Sequence, residues 1–136
     1  MKRLSVLLVF ALLLLSACSK ESVKAEYIVV ASGDDYTDSS YILYKNFNNS
    51  ESNFNSLSFS NGEATILGNK KCKFQFIFKP YSSSSFPYPP KTQTEGDVLN
   101  ISIYKKKNNG TKGAKVGEID ITCTIFAEFN TVEVEW

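Results

Sequence analysis

The sequence predicts an all-β domain, a small antiparallel β-sandwich of about eight strands, with a closed β-barrel as the alternative. Three observations carry this. Apolar and polar residues alternate with a period of two in several segments, as in 98–104, where Leu99, Ile101 and Ile103 share one face. Runs of Asn, Ser, Gly, Pro and Asp separate these segments, and such residues favour turns because they accept φ > 0 or bond their own backbone. Beyond the first 17 residues Ser, Asn, Thr, Tyr and Phe are abundant and Ala and Leu are few, a composition suited to strands.

The chain opens differently. Lys2 and Arg3 precede an almost wholly apolar run, residues 4–15, which ends in Ser16-Ala17-Cys18. Crossing a bilayer takes about 20 apolar residues, so the run is sized for a signal peptide and not for a span. Leu15-Ser16-Ala17-Cys18 resembles the lipobox of bacterial lipoproteins. The resemblance implies cleavage before Cys18, a diacylglyceryl thioether on its sulfur and long-chain (palmitate-type) acylation of its new amine. The other reading is an ordinary secretory signal with an incidental cysteine. The resemblance divides the chain into a signal peptide (1–17), a lipidated cysteine with a flexible tether (18–26) and one β domain (27–136). One acyl chain holds a protein only marginally, at about 0.8 kcal/mol per buried CH₂, whereas two or three make residence lasting. An Asp after the cysteine tends to retain such proteins in the inner membrane of Gram-negative bacteria. Ser19 stands there instead, which implies the outer membrane, on its periplasmic or surface-exposed face.

Composition narrows the chemistry. Without Lys2 and Arg3 the chain carries 13 lysines, no arginine and 14 carboxylates, a formal net charge of −1. That balance gives no nucleic-acid signature, and no arginine fork is present for phosphate. The chain has no histidine. Imidazole metal ligands, Ser–His and Cys–His pairs and the usual general base near neutral pH are therefore excluded. A non-catalytic domain without cofactors is expected. An enzyme would have to use a carboxylate pair, and the acidic residues Glu118, Asp120, Glu133 and Glu135 read better as solvated strand faces.

The strands are expected in order. Residues 27–31 form a continuous apolar run, consistent with both faces being covered. The polar loop 32–40 follows. Its Asp34, Asp35 and Asp38 form a weak Ca²⁺ candidate, set against plain turn chemistry, and their spacing does not match an EF-hand. Residues 41–44 are a second strand, and 46–55 an Asn- and Ser-rich loop. Asn61-Gly62 suits a type I′ turn and predicts a hairpin that pairs Ser60 with Glu63, Phe59 with Ala64, Ser58 with Thr65 and Leu57 with Ile66. In 72–79, Cys72, Phe74, Phe76 and Phe78 share a face. The long connection 80–96 carries Tyr81, Phe86 and Tyr88 among prolines, and these aromatics either bind a partner or fold back over a sheet edge. Residues 105–115 hold five lysines. They read as a solvated hairpin tip, with contact to an anionic lipid headgroup or glycan as the alternative. Residues 116–126 place Ile119, Ile121, Cys123 and Ile125 on one face, and 131–136 turn Val132, Val134 and Trp136 inward.

Cys72 and Cys123 both fall on apolar faces. In an oxidising compartment they are expected to form a disulfide, the alternative being two buried thiols. The resulting function expectation is a lipid-anchored envelope module, binding or structural, with an envelope or host protein or a glycan as partner. The alternative is an inhibitor or immunity protein against a lytic enzyme. Residues 31–38, Ala-Ser-Gly-Asp-Asp-Tyr-Thr-Asp, with Asn61-Gly62-Glu63-Ala64-Thr65, resemble the Ser-Gly…Tyr and Lys-Gly…Ala segments of membrane-bound lysozyme inhibitors. Asn61 stands where that pattern has Lys.

Overall fold

The computed structural model describes residues 24–36, 40–47, 53–80, 93–126 and 128–136. These form eight strands and no helix: β1 (Lys24–Ser32), β2 (Tyr41–Asn46), β3 (Asn55–Leu57), β4 (Glu63–Asn69), β5 (Lys71–Lys79), β6 (Val98–Lys106), β7 (Lys112–Thr122) and β8 (Asn130–Glu135). They make two four-stranded antiparallel sheets, β4-β1-β6-β7 and β3-β2-β5-β8. The sheets do not close into a barrel, and the architecture is the sandwich.

Period-two alternation builds the core. One sheet contributes Tyr27, Val29, Ile66, Leu99, Ile101, Ile103 and Ile121, and the other contributes Ile42, Phe74, Phe76, Phe78 and Val134, all within one cluster. Burying each such side chain contributes about 1.5–3 kcal/mol. Tyr27 meets the edge of Phe74 across the core, ring centroids 5.4 Å apart. Along one side of the sandwich β7 approaches β8 without joining its sheet. Gly117 permits this, since a Cβ there would lie 3.0 Å from methyls of both Val132 and Val134.

Four differences from the sequence reading follow from where pairing partners run out. The Asn61-Gly62 turn forms, with φ of 52° and 77° and paired bonds between Ser60 and Glu63. The hairpin stops at that pair. Leu57 lies in β3, paired with Ile42 of β2, whereas Ile66 pairs with Tyr27 of β1 in the other sheet. The segment is a corner where the chain changes sheets, and both arms still bury their apolar residues because both sheets face one core.

Next, β1 starts at Lys24, so Lys24, Ala25 and Glu26, expected in the tether, pair with Asn69, Gly68 and Leu67. In the third difference, Lys105, Lys106, Lys112 and Lys115 lie in β6 and β7, leaving only 107–111 as the tip. Finally, β7 ends opposite Val98. Cys123 then leaves that sheet to bridge Phe78 of the other, so Ile125 is exposed, not inward.

The disulfide expectation is corrected. Cys72 and Cys123 are both buried as free thiols. Cys72 is the second residue of β5, whereas Cys123 bridges Phe78, six residues further along that strand. At 3.2–3.4 Å per residue this separates them by roughly 20 Å. A disulfide needs Cα atoms within about 7 Å.

The strand directions give the sandwich two distinct ends. Lys24, Asn69, Lys71, Lys106 and Glu135 gather at the end where β1 begins. Ser32, Asn61, Lys79, Val98 and Thr122 gather at the other.

Candidate functional site

At the first end the chain converges on Trp136. Pairing of β5 with β8 stops at Lys71 and Glu135, and the Trp136 amide then donates to the Lys70 carbonyl at 3.1 Å. The indole Nε1–H donates to the Tyr27 hydroxyl at 3.0 Å, and that hydroxyl donates to the Asn69 carbonyl. Trp136 was expected inward. Its N–H edge does reach the buried tyrosine, but 41% of the residue remains exposed because no strand continues past Lys71 to cover it.

Cations surround the ring. Lys105 Nζ lies 3.5 Å from the ring centroid and Lys70 Nζ 5.0 Å. An ammonium over an indole face is attracted by the ring quadrupole, by about 0.5–1 kcal/mol at exposed sites. The lining of a cleft beside Trp136 includes Lys24, Lys106, Lys107 and Asn108 and one carboxylate, Glu26. Three lysines nearby are matched: Lys106 with Glu26 at 3.3 Å, Lys71 with Glu135 at 3.2 Å, and Lys112 with Glu63. Lys24, Lys70, Lys105 and Lys107 have no carboxylate partner among the described residues. This end therefore presents a net positive surface around a half-exposed indole.

The opposite end carries loops and carboxylates. Asp35 accepts the Val98 amide at 3.2 Å, so this carboxylate has a structural task. The buried Gln93 amide donates to the Ser40 hydroxyl and, at 3.4 Å, to the Asp35 carbonyl. Asp97 accepts from the Thr94 amide at 2.9 Å. Tyr36 packs edge-on against Phe59, centroids 6.1 Å apart. The Ala31 amide donates to the Gly62 carbonyl at 3.0 Å, which brings the 31–36 segment against the Asn61-Gly62 turn. Of the predicted calcium candidates, Asp34 and Asp35 lie in this region and Asp38 is outside the described residues. Cys18 and the aromatic residues Tyr81, Phe86 and Tyr88 also lie outside them.

The thiols are placed for packing. Burial pushes Cys123 up to about 11, with the Asp97 and Glu95 charges adding to the shift. Burial also pushes Cys72 up, partly offset by bonding to the Asn69 backbone. A thiol held protonated is a poor nucleophile. On the strand faces, the Lys115 ammonium holds Glu118 down, and Lys73 does the same for Glu133. Lys73 and Glu133 sit directly opposite across β5 and β8, the favourable arrangement for a cross-strand pair.

No family model matches the chain, and neither a curated protein nor a solved structure shows significant similarity to it. Among the described residues no helix is long and apolar enough to cross a membrane.

Sequence reasoning missed the Trp136 cluster. The single tryptophan was a visible signal, and so was the lysine content of 105–115. Their meeting was not visible, because it depends on the register of β1, β5, β6 and β8 together.

Proposed function

We propose that the chain is a lipid-anchored lipoprotein of the bacterial cell envelope that acts as a non-catalytic binding module and presents its loops away from the membrane. The observation that carries this is the polarity of the sandwich. Strand β1 begins at Lys24, six residues after Cys18, and β1, β5 and β7 all finish at the far end. An anchor on Cys18 thus holds one end near the lipid and leaves the other free to meet a partner. Lys79 and Val98, the strand residues on either side of the 80–96 connection, both lie at that far end.

The test is capture of envelope and host proteins, and of glycans, by the immobilised domain, with a Phe86→Ala/Tyr88→Ala variant alongside. The reading expects the variant to remain folded, by circular dichroism, and to lose most of the captured partner. Equal capture by the two proteins removes this loop from the account.

One observation favours the inhibitor alternative. The two segments that resemble membrane-bound lysozyme inhibitors lie side by side, joined by the Ala31–Gly62 backbone bond. A Cβ on Gly62 would lie 4.0 Å from the Tyr36 hydroxyl, so Tyr36 and the Asn61-Gly62 turn share one surface. A direct lysozyme-inhibition assay decides it, and no inhibition at micromolar domain eliminates lysozyme as the target.

A further inference from the structure

We infer that the lysine-and-tryptophan end of the sandwich is a membrane-docking surface that seats on anionic phospholipid headgroups. The inference deepens the lipid-anchor reading and rests on it for the choice of occupant.

Charge is the first argument. At this end Glu26 and Glu135 are already paired with Lys106 and Lys71, whereas Lys24, Lys70, Lys105 and Lys107 form no ion pair with a carboxylate among the described residues, which leaves lysines in excess although Glu26 lines the same cleft. The far end carries Asp34, Asp35, Glu95 and Asp97 against Lys79, a net negative balance. An anionic surface attracts the first end and repels the second, so charge alone orients a domain whose overall balance is near zero.

Distance is the second argument. Lys24 follows Cys18 by six residues, and a fully extended chain spans at most about 3.3–3.6 Å per residue, roughly 20 Å in all. Surface charges act over a Debye length of about 8 Å at physiological ionic strength. A tether this short repeatedly brings the four lysines within that range. A soluble polyanion receives no such help, which selects the lipid over a glycan.

The third argument is Trp136. Its N–H edge is fixed inward by Tyr27 while 41% of the residue stays exposed, with the Lys70 and Lys105 ammonium groups over the ring. An amphipathic ring beside long cationic side chains suits the headgroup zone, where apolar bodies and polar tips are both satisfied.

The experiment uses the chain from Ser19 onward, which contains all eight strands and the whole described core. Trp136 is the only tryptophan, so its emission reports this surface alone. Vesicles of phosphatidylcholine are compared with the same vesicles doped with phosphatidylglycerol, at low and high salt. The inference expects a blue shift and co-sedimentation with doped vesicles only, both reversed by salt. Replacing Lys24, Lys70, Lys105 and Lys107 with Gln weakens binding by about fivefold per lysine, whereas the corresponding Arg variant retains it. Lys79→Gln, at the far end, leaves binding unchanged. No binding at low salt, equal binding to undoped vesicles, or full binding by the Gln variant overturns the inference. So does saturable binding to a soluble anionic polysaccharide without vesicle binding. The anchor is read separately, by the mass of the Cys18 peptide: a lipidated cysteine with no vesicle binding removes the docking surface only. Vesicle binding with an unmodified Cys18 removes the anchor and leaves the surface.

Discussion

Gly68 occupies a point in β4 where backbone passes directly over core side chains. A Cβ there would lie 2.7 Å from Phe74 Cζ, 3.0 Å from Cys72 Sγ and 3.1 Å from Tyr27 Cε2, none of which has room to retreat. Gly68→Ala is expected to cost about 1–3 kcal/mol, as overpacking does, read as a lower urea midpoint at unchanged slope. Wild-type stability in that variant contradicts the packing described. The cysteines give a second residue-scale prediction. With two free thiols, reductant leaves the melting temperature unchanged, and denaturation followed by alkylation adds two labels to Cys72 and Cys123. A mass two hydrogens short, with no labelling, is the contrary result. The third concerns alkaline pH. Burial raises Tyr27 to about 12 from 10.0 and Cys123 to about 11 from 9.0. The unfolded chain therefore releases these protons first. The stability linked to them is complete below about pH 9 and declines as pH rises from about 9 towards 12. Tyr27→Phe together with Cys123→Ala flattens that decline, and an equally steep loss in the double variant assigns it to other groups.

At the scale of elements, turn chemistry is local and pairing is not. Asn61-Gly62 was legible because two residues fix the backbone signs of a type I′ turn, and both adopt φ > 0. Gly62→Ala places a Cβ in that left-handed region, 3.4 Å from the Ala31 carbonyl, and is expected to destabilise by about 1–2 kcal/mol in thermal or urea unfolding. No change there removes the corner from the stabilising contacts. What the turn does not encode is whether its arms stay in one sheet. Leu57 and Ile66 were correctly expected to be buried, and they are, on opposite sheets. The same limit explains Ile125 and Trp136. Alternation continues in the sequence past Thr122 and past Glu135, but the partner strand ends at Val98 in one case and at Lys71 in the other. Strand existence, core faces and fold class were thus readable from period and turn residues. Sheet assignment, the distance between the cysteines and the lysine cluster depend on long-range register.

The whole molecule is a sandwich with unlike ends. Lysines and a half-exposed indole surround the start of β1, and carboxylates and loop turns occupy the other pole. This polarity links fold to proposed role, because an anchor that joins at Lys24 sets which pole meets lipid and which meets a partner. The proposed orientation by an anchor depends on Cys18. The most direct measurement is the intact mass of the protein extracted from bacterial membranes with detergent, together with the mass of its first proteolytic peptide. The account predicts a chain that begins at Cys18 and carries a diacylglyceryl group on sulfur and an acyl group on the amine. A chain that begins at any other residue, or an unmodified Cys18, contradicts it.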